Sequence, residues 1–160
     1  MPDASETTSQ PTEPAANENA IELLSFFVGE HEYSVDIMSV REIRGWSKTT
    51  SLPHSPPYVR GVINLRGTVL PVIDLALRLG LEAGEPDERN VVIVVDVSGR
   101  TLGMRVDAVS DILSIPLHEL KPPPDIAANT AETFLKALTL VDDRMVRCLK
   151  SAPMGPIRLI

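Results

Sequence analysis

Two rhythms alternate along this chain. Residues 22–28 are mostly apolar, and in residues 32–37 Tyr33, Val35 and Ile37 alternate with Ser34 and Asp36. That period of two predicts strands, the second with one buried face. Gly29-Glu30 between them suits a tight turn. A second hairpin is predicted from 62–65 and 68–73 around Arg66-Gly67, where Gly67 can take the positive φ such turns need. Pro71 cannot donate to a ladder, so its N–H side is expected at an edge or bulge. Asp74 then reads as the N-cap of a short helix, 75–79, closed by Gly80.

The pattern repeats. Residues 91–97, a turn at Ser98-Gly99-Arg100, and residues 101–106 form another hairpin. At an offset of 69, Leu102, Met104, Val106, Val109, Asp111 and Ile112 fall on Tyr33, Val35, Ile37, Val40, Glu42 and Ile43. At an offset of 76, Phe134, Lys136, Leu138, Asp143, Met145 and Leu149 fall on Tyr58, Arg60, Val62, Gly67, Val69 and Ile73. The seven extra residues are placed in the 121–130 loop, which holds a triple proline. The pairing predicts a duplicated β unit. Short strands with regular turns and one helix predict small barrels or sandwiches.

Composition narrows the class. The 160 residues suffice for a core without staples. Only 4% are aromatic, so branched aliphatics must fill the interior. Cys148 is the sole cysteine, which excludes an intramolecular disulfide and reads as a small core residue. Net charge is −7, and no basic cluster suggests nucleic acid. Residues 1–19 hold Asp3, Glu6, Glu13 and Glu18, no Lys or Arg, and little to bury, and are expected to be a disordered tail. The first basic residue is Arg41 and the longest aliphatic run is 91–95. A soluble cytoplasmic protein without membrane insertion is therefore expected.

Chemistry is sparse. His31, His54 and His118 lack ligand-like spacing, so no metal is expected. Phosphate-loop, dinucleotide and serine-nucleophile motifs do not occur, and no cofactor is expected. Asp36, Asp74, Asp107 and the pair Asp142-Asp143 read as caps, turns and solvated positions, not as an acid–base pair.

The run SLPHSPPYVRGVINLRGTVLPVIDLALRLGL (51–81), with Val-Arg-Glu-Ile (40–43) upstream, resembles the CheW family of bacterial chemotaxis coupling proteins. The resemblance spans about 21–149. It implies an all-β fold: two small five-stranded SH3-like barrels packed side by side, with one short helix. Residues 20–84 are expected to form the first barrel and 85–160 the second. It also implies a non-enzymatic adaptor between chemoreceptor cytoplasmic tips and the regulatory domain of a CheA-type histidine kinase, held at receptor arrays. A CheW-like module of another histidine-kinase pathway, or a small β-barrel ligand-binding protein, is the alternative.

Arg66 and Glu42 are the leading partner-binding candidates, because an arginine on a tight turn presents its planar fork to a carboxylate or carbonyl. Simple pairing between them is the structural reading. The resemblance places Val40, Val91 and Ile112 around the receptor groove; barrel core is the other reading. Gly61 suits a close backbone approach or a turn. Trp46 either anchors a partner or closes a barrel. The end of the chain departs from the family: Arg147 and Lys150 interrupt the last strand, and Pro153, Gly155 and Pro156 forbid a helix. The final strand is therefore expected to fray.

Deleting residues 1–19 is expected to leave the thermal midpoint unchanged within error. A drop of several degrees in a melting curve would show that the tail packs on the domain.

Overall fold

A computed structural model describes residues 19–97, 99–123 and 135–150. Ten strands follow in order: β1 Ala20–Val28, β2 His31–Asp36, β3 Val40–Gly45, β4 Val59–Leu65, β5 Thr68–Asp74, β6 Val91–Val97, β7 Arg100–Val106, β8 Ala108–Pro116, β9 Leu135–Val141 and β10 Arg144–Leu149. The helix α1, Leu75–Arg78, follows β5, and 3-10 turns lie at Ile37–Ser39 and Leu117–Glu119. Expectations for 1–18, most of the 121–130 loop and 151–160 fall outside the described residues.

The strands form two five-stranded sheets, ordered β8-β1-β2-β10-β9 (barrel A) and β3-β6-β7-β5-β4 (barrel B). Backbone bonds near 2.9 Å close barrel B where Thr50 and Val62 exchange N–H and carbonyl groups, and Lys121 and Leu138 do the same in barrel A. The fold is all-β, as the sequence predicts. The division at residue 84 needs correction. Barrel B is built from β3 to β7, whereas barrel A combines β1 and β2 with β8, β9 and β10. Each half of the duplicated chain keeps its first hairpin in one barrel and sends its next three strands to the other.

The exchange preserves the repeat. Replacing β1–β5 by β6–β10, and the reverse, turns one sheet order into the other. Register agrees: Phe26↔Tyr33 matches Val95↔Leu102, Leu24↔Ile112 matches Ile93↔Ile43, and Cys148↔Ser34 matches Val72↔Gly103. The closing bridges correct the loop estimate. Thr50 and Lys121 stand 71 apart, so two of the seven extra residues precede Lys121 and five follow it.

Burial explains the runs of apolar residues. In β6, Ile93, Val95 and Val97 join a core shared by both barrels, while Val92 and Val94 fill the lumen of barrel B. A strand buried on both faces reads as continuous Val/Ile rather than alternating. β2 is also buried on both faces, contrary to the single face expected: Tyr33 and Val35 face the shared core, and Glu32 and Ser34 are buried too. The sheet curls into a barrel, so the face opposite the shared core looks into the lumen, where Ser34 lies opposite Cys148. Burial pushes the Glu32 carboxyl up, but hydrogen bonds and charge from Arg144 and Ser25 outweigh it and hold the group below its ordinary range. Arg144 donates from 2.8 Å and Ser25 from 2.8 Å.

Details follow the chemistry of each position. The Arg66-Gly67 turn places both residues at positive φ, 52° and 86°, and Asp142-Asp143 repeats it at 51° and 67°. β5 is interior to its sheet, yet its ladder with β7 begins at Val72, one residue beyond Pro71. Asp74 caps α1 by accepting from the Ala76 N–H at 3.2 Å. Contrary to the solvated position expected, it is fully buried: Arg60 contacts it at 2.7 Å and Arg105 at 3.4 Å. β10 does not fray; it pairs with both β2 and β9, and Arg147 lies over the Tyr33 ring.

Gly61 sits where barrel B closes. Its φ is +140°, and a Cβ there would lie 2.3 Å from the Thr50 carbonyl oxygen. Gly61→Ala is expected to cost at least about 2 kcal/mol in a denaturant titration, since backbone strain and overpacking each cost about 1–3 kcal/mol. A loss under about 0.5 kcal/mol, the scale of indifferent surface changes, would show that the 46–50 segment moves aside freely.

Candidate functional site

Arg66 and Glu42 meet at the rim of barrel B. β3 and β4 are the two ends of that sheet, so Glu42 on β3 and Arg66 on the β4–β5 turn face each other across the closure. Arg66 donates from Nη2 to Glu42 Oε1 at 2.5 Å. The turn is braced by Asn64, whose Oδ1 accepts from the Gly67 N–H at 2.9 Å. Arg66 stays 73% exposed while Glu42 is 27% exposed. The carboxylate is thus seated and the guanidinium presented, so the pairing and partner-binding readings coexist.

Glu42 also receives a second cation. Arg44, two residues along the same half-buried face of β3, donates from Nη1 to Glu42 Oε2 at 3.4 Å. The Arg66 hydrogen bond, offset by some desolvation and helped by the charges of Arg66 and Arg44, holds the Glu42 carboxyl below its ordinary value of 4.5. In the bulge beside Glu42, Arg41 pairs instead with Asp96 of β6 at 2.8 Å. Arg44 was not singled out by sequence reasoning. The available signal was its parity: positions 42 and 44 share a face, and a charged residue there needs a partner.

The other candidates are distributed. Val40 packs on the shared core opposite Val95, and a bulge between it and Glu42 turns it away from the Glu42 face, which lies opposite the lumen residue Val94. Val91 packs on that core too, at the far end of the β3–β6 ladder opposite Gly45. Gly61 is buried at the closure. Ile112 is on β8 of barrel A, 57% exposed, at the position matching Ile43, which is 46% exposed. The structure therefore brings Glu42 and Arg66 together and sets Val40, Gly61, Val91 and Ile112 apart from them. Trp46 packs half-buried on the lumen residues of barrel B, favouring barrel closure over an exposed anchor. Cys148 is buried, and that burial pushes its thiol up, which makes it a poor nucleophile.

Sequence reasoning also missed several exposed apolar side chains. Val69, Leu140 and Met145 are 63%, 63% and 41% exposed. Val69 and Met145 hold matching positions beside the two equivalent turns. The sign was an apolar residue at outward parity in a hairpin. Among the described residues, no cluster of His, Cys, Asp and Glu could hold a metal ion, and no helix is long and apolar enough to cross a membrane.

Residues 22–154 match the CheW-like domain. The chain belongs to the CheW family. It is 50% identical over 128 residues to the chemotaxis protein CheW of Rhizobium meliloti, covering 80% of this chain and 82% of that one. It is 38% identical to the chemotaxis protein CheW of Klebsiella aerogenes, covering 78% and 75%. The crystal structure of the scaffolding protein TtCheW from Thermoanaerobacter tengcongensis superposes with a TM-score of 0.76 at 31% identity, covering 81% of this chain and 88% of that one. The two SH3-like barrels and the adaptor class read from YVRGVINLRG and VLPVIDL agree with these relatives.

The depressed Glu42 carboxyl has a definite acid signature. Its charged form, and the grip on Arg66, is present above the unfolded value and lost as pH falls through the lower folded one. NMR titration of the Glu42 side-chain carboxyl carbon is expected to give a midpoint below 4.5. A midpoint at or above 4.5 would mean that the pair does not persist in solution.

Proposed function

We propose that this CheW-family protein is a non-enzymatic adaptor that couples chemoreceptor cytoplasmic tips to the regulatory domain of a CheA-type histidine kinase. In this reading it works in the cytoplasm at receptor arrays on the inner face of the membrane. The observation that carries the receptor half is the Glu42–Arg66 pair: a seated carboxylate presenting an exposed guanidinium at the rim of a rigid barrel. Arg66 contacts the receptor, Glu42 orients it, and Val40, on the same strand but packed on the shared core, supplies apolar contact. Gly61 and Val91 hold the walls in place, and Ile112 offers an apolar contact from barrel A. An adaptor needs preformed surfaces rather than a reactive group. The exposed apolar residues on the two barrels suit two separate protein contacts.

Arg66→Glu tests the assignment. Its side chain has few core contacts, so the circular dichroism spectrum and melting curve are expected to match the parent. Affinity for a purified receptor-tip fragment is expected to fall at least about 30-fold, the scale of a hot spot worth ~2 kcal/mol. Glu42→Ala should weaken binding less. Parental affinity in Arg66→Glu would remove the site from this rim, and a collapsed melting curve would make Arg66 structural.

A further inference from the structure

We propose that Arg44 is a positioning residue of the Arg66 site, gripping Glu42 so that Glu42 can hold Arg66 toward the partner. The inference rests on the reading of Arg66 as the receptor contact. It deepens that reading by assigning a residue outside the candidate set.

Three observations carry it. First, the two oxygens of Glu42 are divided: Oε1 accepts from Arg66 and Oε2 from Arg44. A carboxylate gripped at one oxygen can still rotate about its last bond, whereas one gripped at both oxygens cannot. The turn carrying Arg66 is exposed, so the seat of Glu42 is what limits where the guanidinium points. Second, position 44 has a matched position in the other barrel. At the offset of 69 it corresponds to Leu113, which packs into the lumen of barrel A among Leu23, Ile115 and Ala137. Barrel B carries an arginine where its twin carries a leucine. Third, that arginine is poorly served by the fold. Its side chain is 34% exposed, and its Nε is buried with no hydrogen-bond partner among the described residues. Leaving a buried donor unmade is unfavourable, and a leucine would avoid it. The side chain that Arg44 grips is Glu42. Its neighbour Arg41 does not compete, because it is engaged with Asp96 of β6.

The grip is not symmetric. The Arg66 contact is short and the Arg44 contact is at the long end of a hydrogen bond. Arg44 therefore acts through charge and steering more than through one strong bond. A planar guanidinium suits this better than a lysine, whose ammonium is a flexible point charge.

A merely structural role and a positioning role predict different outcomes for Arg44→Leu in the full chain. If Arg44 were there for stability, the leucine would lower the melting temperature. Positioning predicts a melting temperature equal to the parent or higher, together with two losses. The Glu42 titration midpoint, followed by NMR, should rise toward 4.5. Affinity for a receptor-tip fragment should fall about threefold to tenfold, the range of coupling between contacting residues, and less than in Arg66→Glu. Adding Arg44→Leu to Glu42→Gln should cause no further loss. Arg44→Lys, which keeps the charge, should give an intermediate midpoint and serves if the leucine variant does not fold.

An unchanged Glu42 midpoint in both Arg44 variants overturns the proposal whatever happens to binding. Loss of binding in Arg66→Glu with parental binding in Arg44→Leu also overturns it. If Arg66→Glu itself binds like the parent, the receptor site fails instead, and the midpoint alone then decides whether Arg44 holds Glu42.

Discussion

The shared core between the two barrels is the constraint on which everything else rests. Among the described residues it holds eighteen buried apolar side chains, against six in the lumen of barrel B and four in that of barrel A. Each buried aliphatic contributes about 1.5–3 kcal/mol. The lumens are thus too small to outweigh chain entropy alone, and neither barrel is expected to be stable without the other. Strand exchange reinforces the arrangement. Each half of the duplication gives one hairpin to one barrel and three strands to the other, so separating the barrels means breaking chain crossings as well as contacts.

Charge is handled inside that frame by local pairing. Asp74 ends β5, caps α1 and lies between Arg60 and Arg105, while Arg60 also donates to the Gly84 carbonyl at 3.1 Å. Removing a single partner from such a group would leave a buried charge uncompensated. The network anchors the helix and the segment after it against the shared core. Glu42 is the contrasting case. It sits at a rim, its two cations come from its own strand and from the facing turn, and one of those cations remains open to solvent. The same chemistry that locks the interior at Asp74 leaves a usable donor at Arg66.

Much of this was legible from local pattern. The hairpins around Gly29-Glu30, Arg66-Gly67 and Gly99, the cap at Asp74 and the offset pairing of Tyr33 with Leu102 each depend on nearby residues, and each is present. The barrel assignment was not legible, because alternation says which face of a strand is buried but not which strand lies beside it. β2 shows the cost: Ser34 looked solvent-facing, and it is buried because the sheet closes on itself and turns that face into a lumen. Asp74 looked solvated because its two arginines arrive from β4 and β7. At the site, the motif supplied Glu42 and Arg66 as a pair. It did not show that Val40, Gly61 and Val91 serve the walls instead. Arg44 was hidden in the same motif, since only its inward parity distinguished it from an ordinary surface arginine.

The order of strands along the chain also bears on synthesis. Barrel B is complete in sequence once Val106 has left the ribosome, because β3 to β7 are consecutive. The hairpin β1–β2 emerges earlier, yet its neighbours in the sheet, β8 and β10, come from the last third of the molecule. Until Pro116 appears both edges of that hairpin are free, and until Leu149 appears its β2 edge stays open, with an apolar face leaning on barrel B. The first segment made is the last to be sealed. A nascent chain stalled between residues 107 and 149 would present an open, pairing-competent edge to whatever it meets.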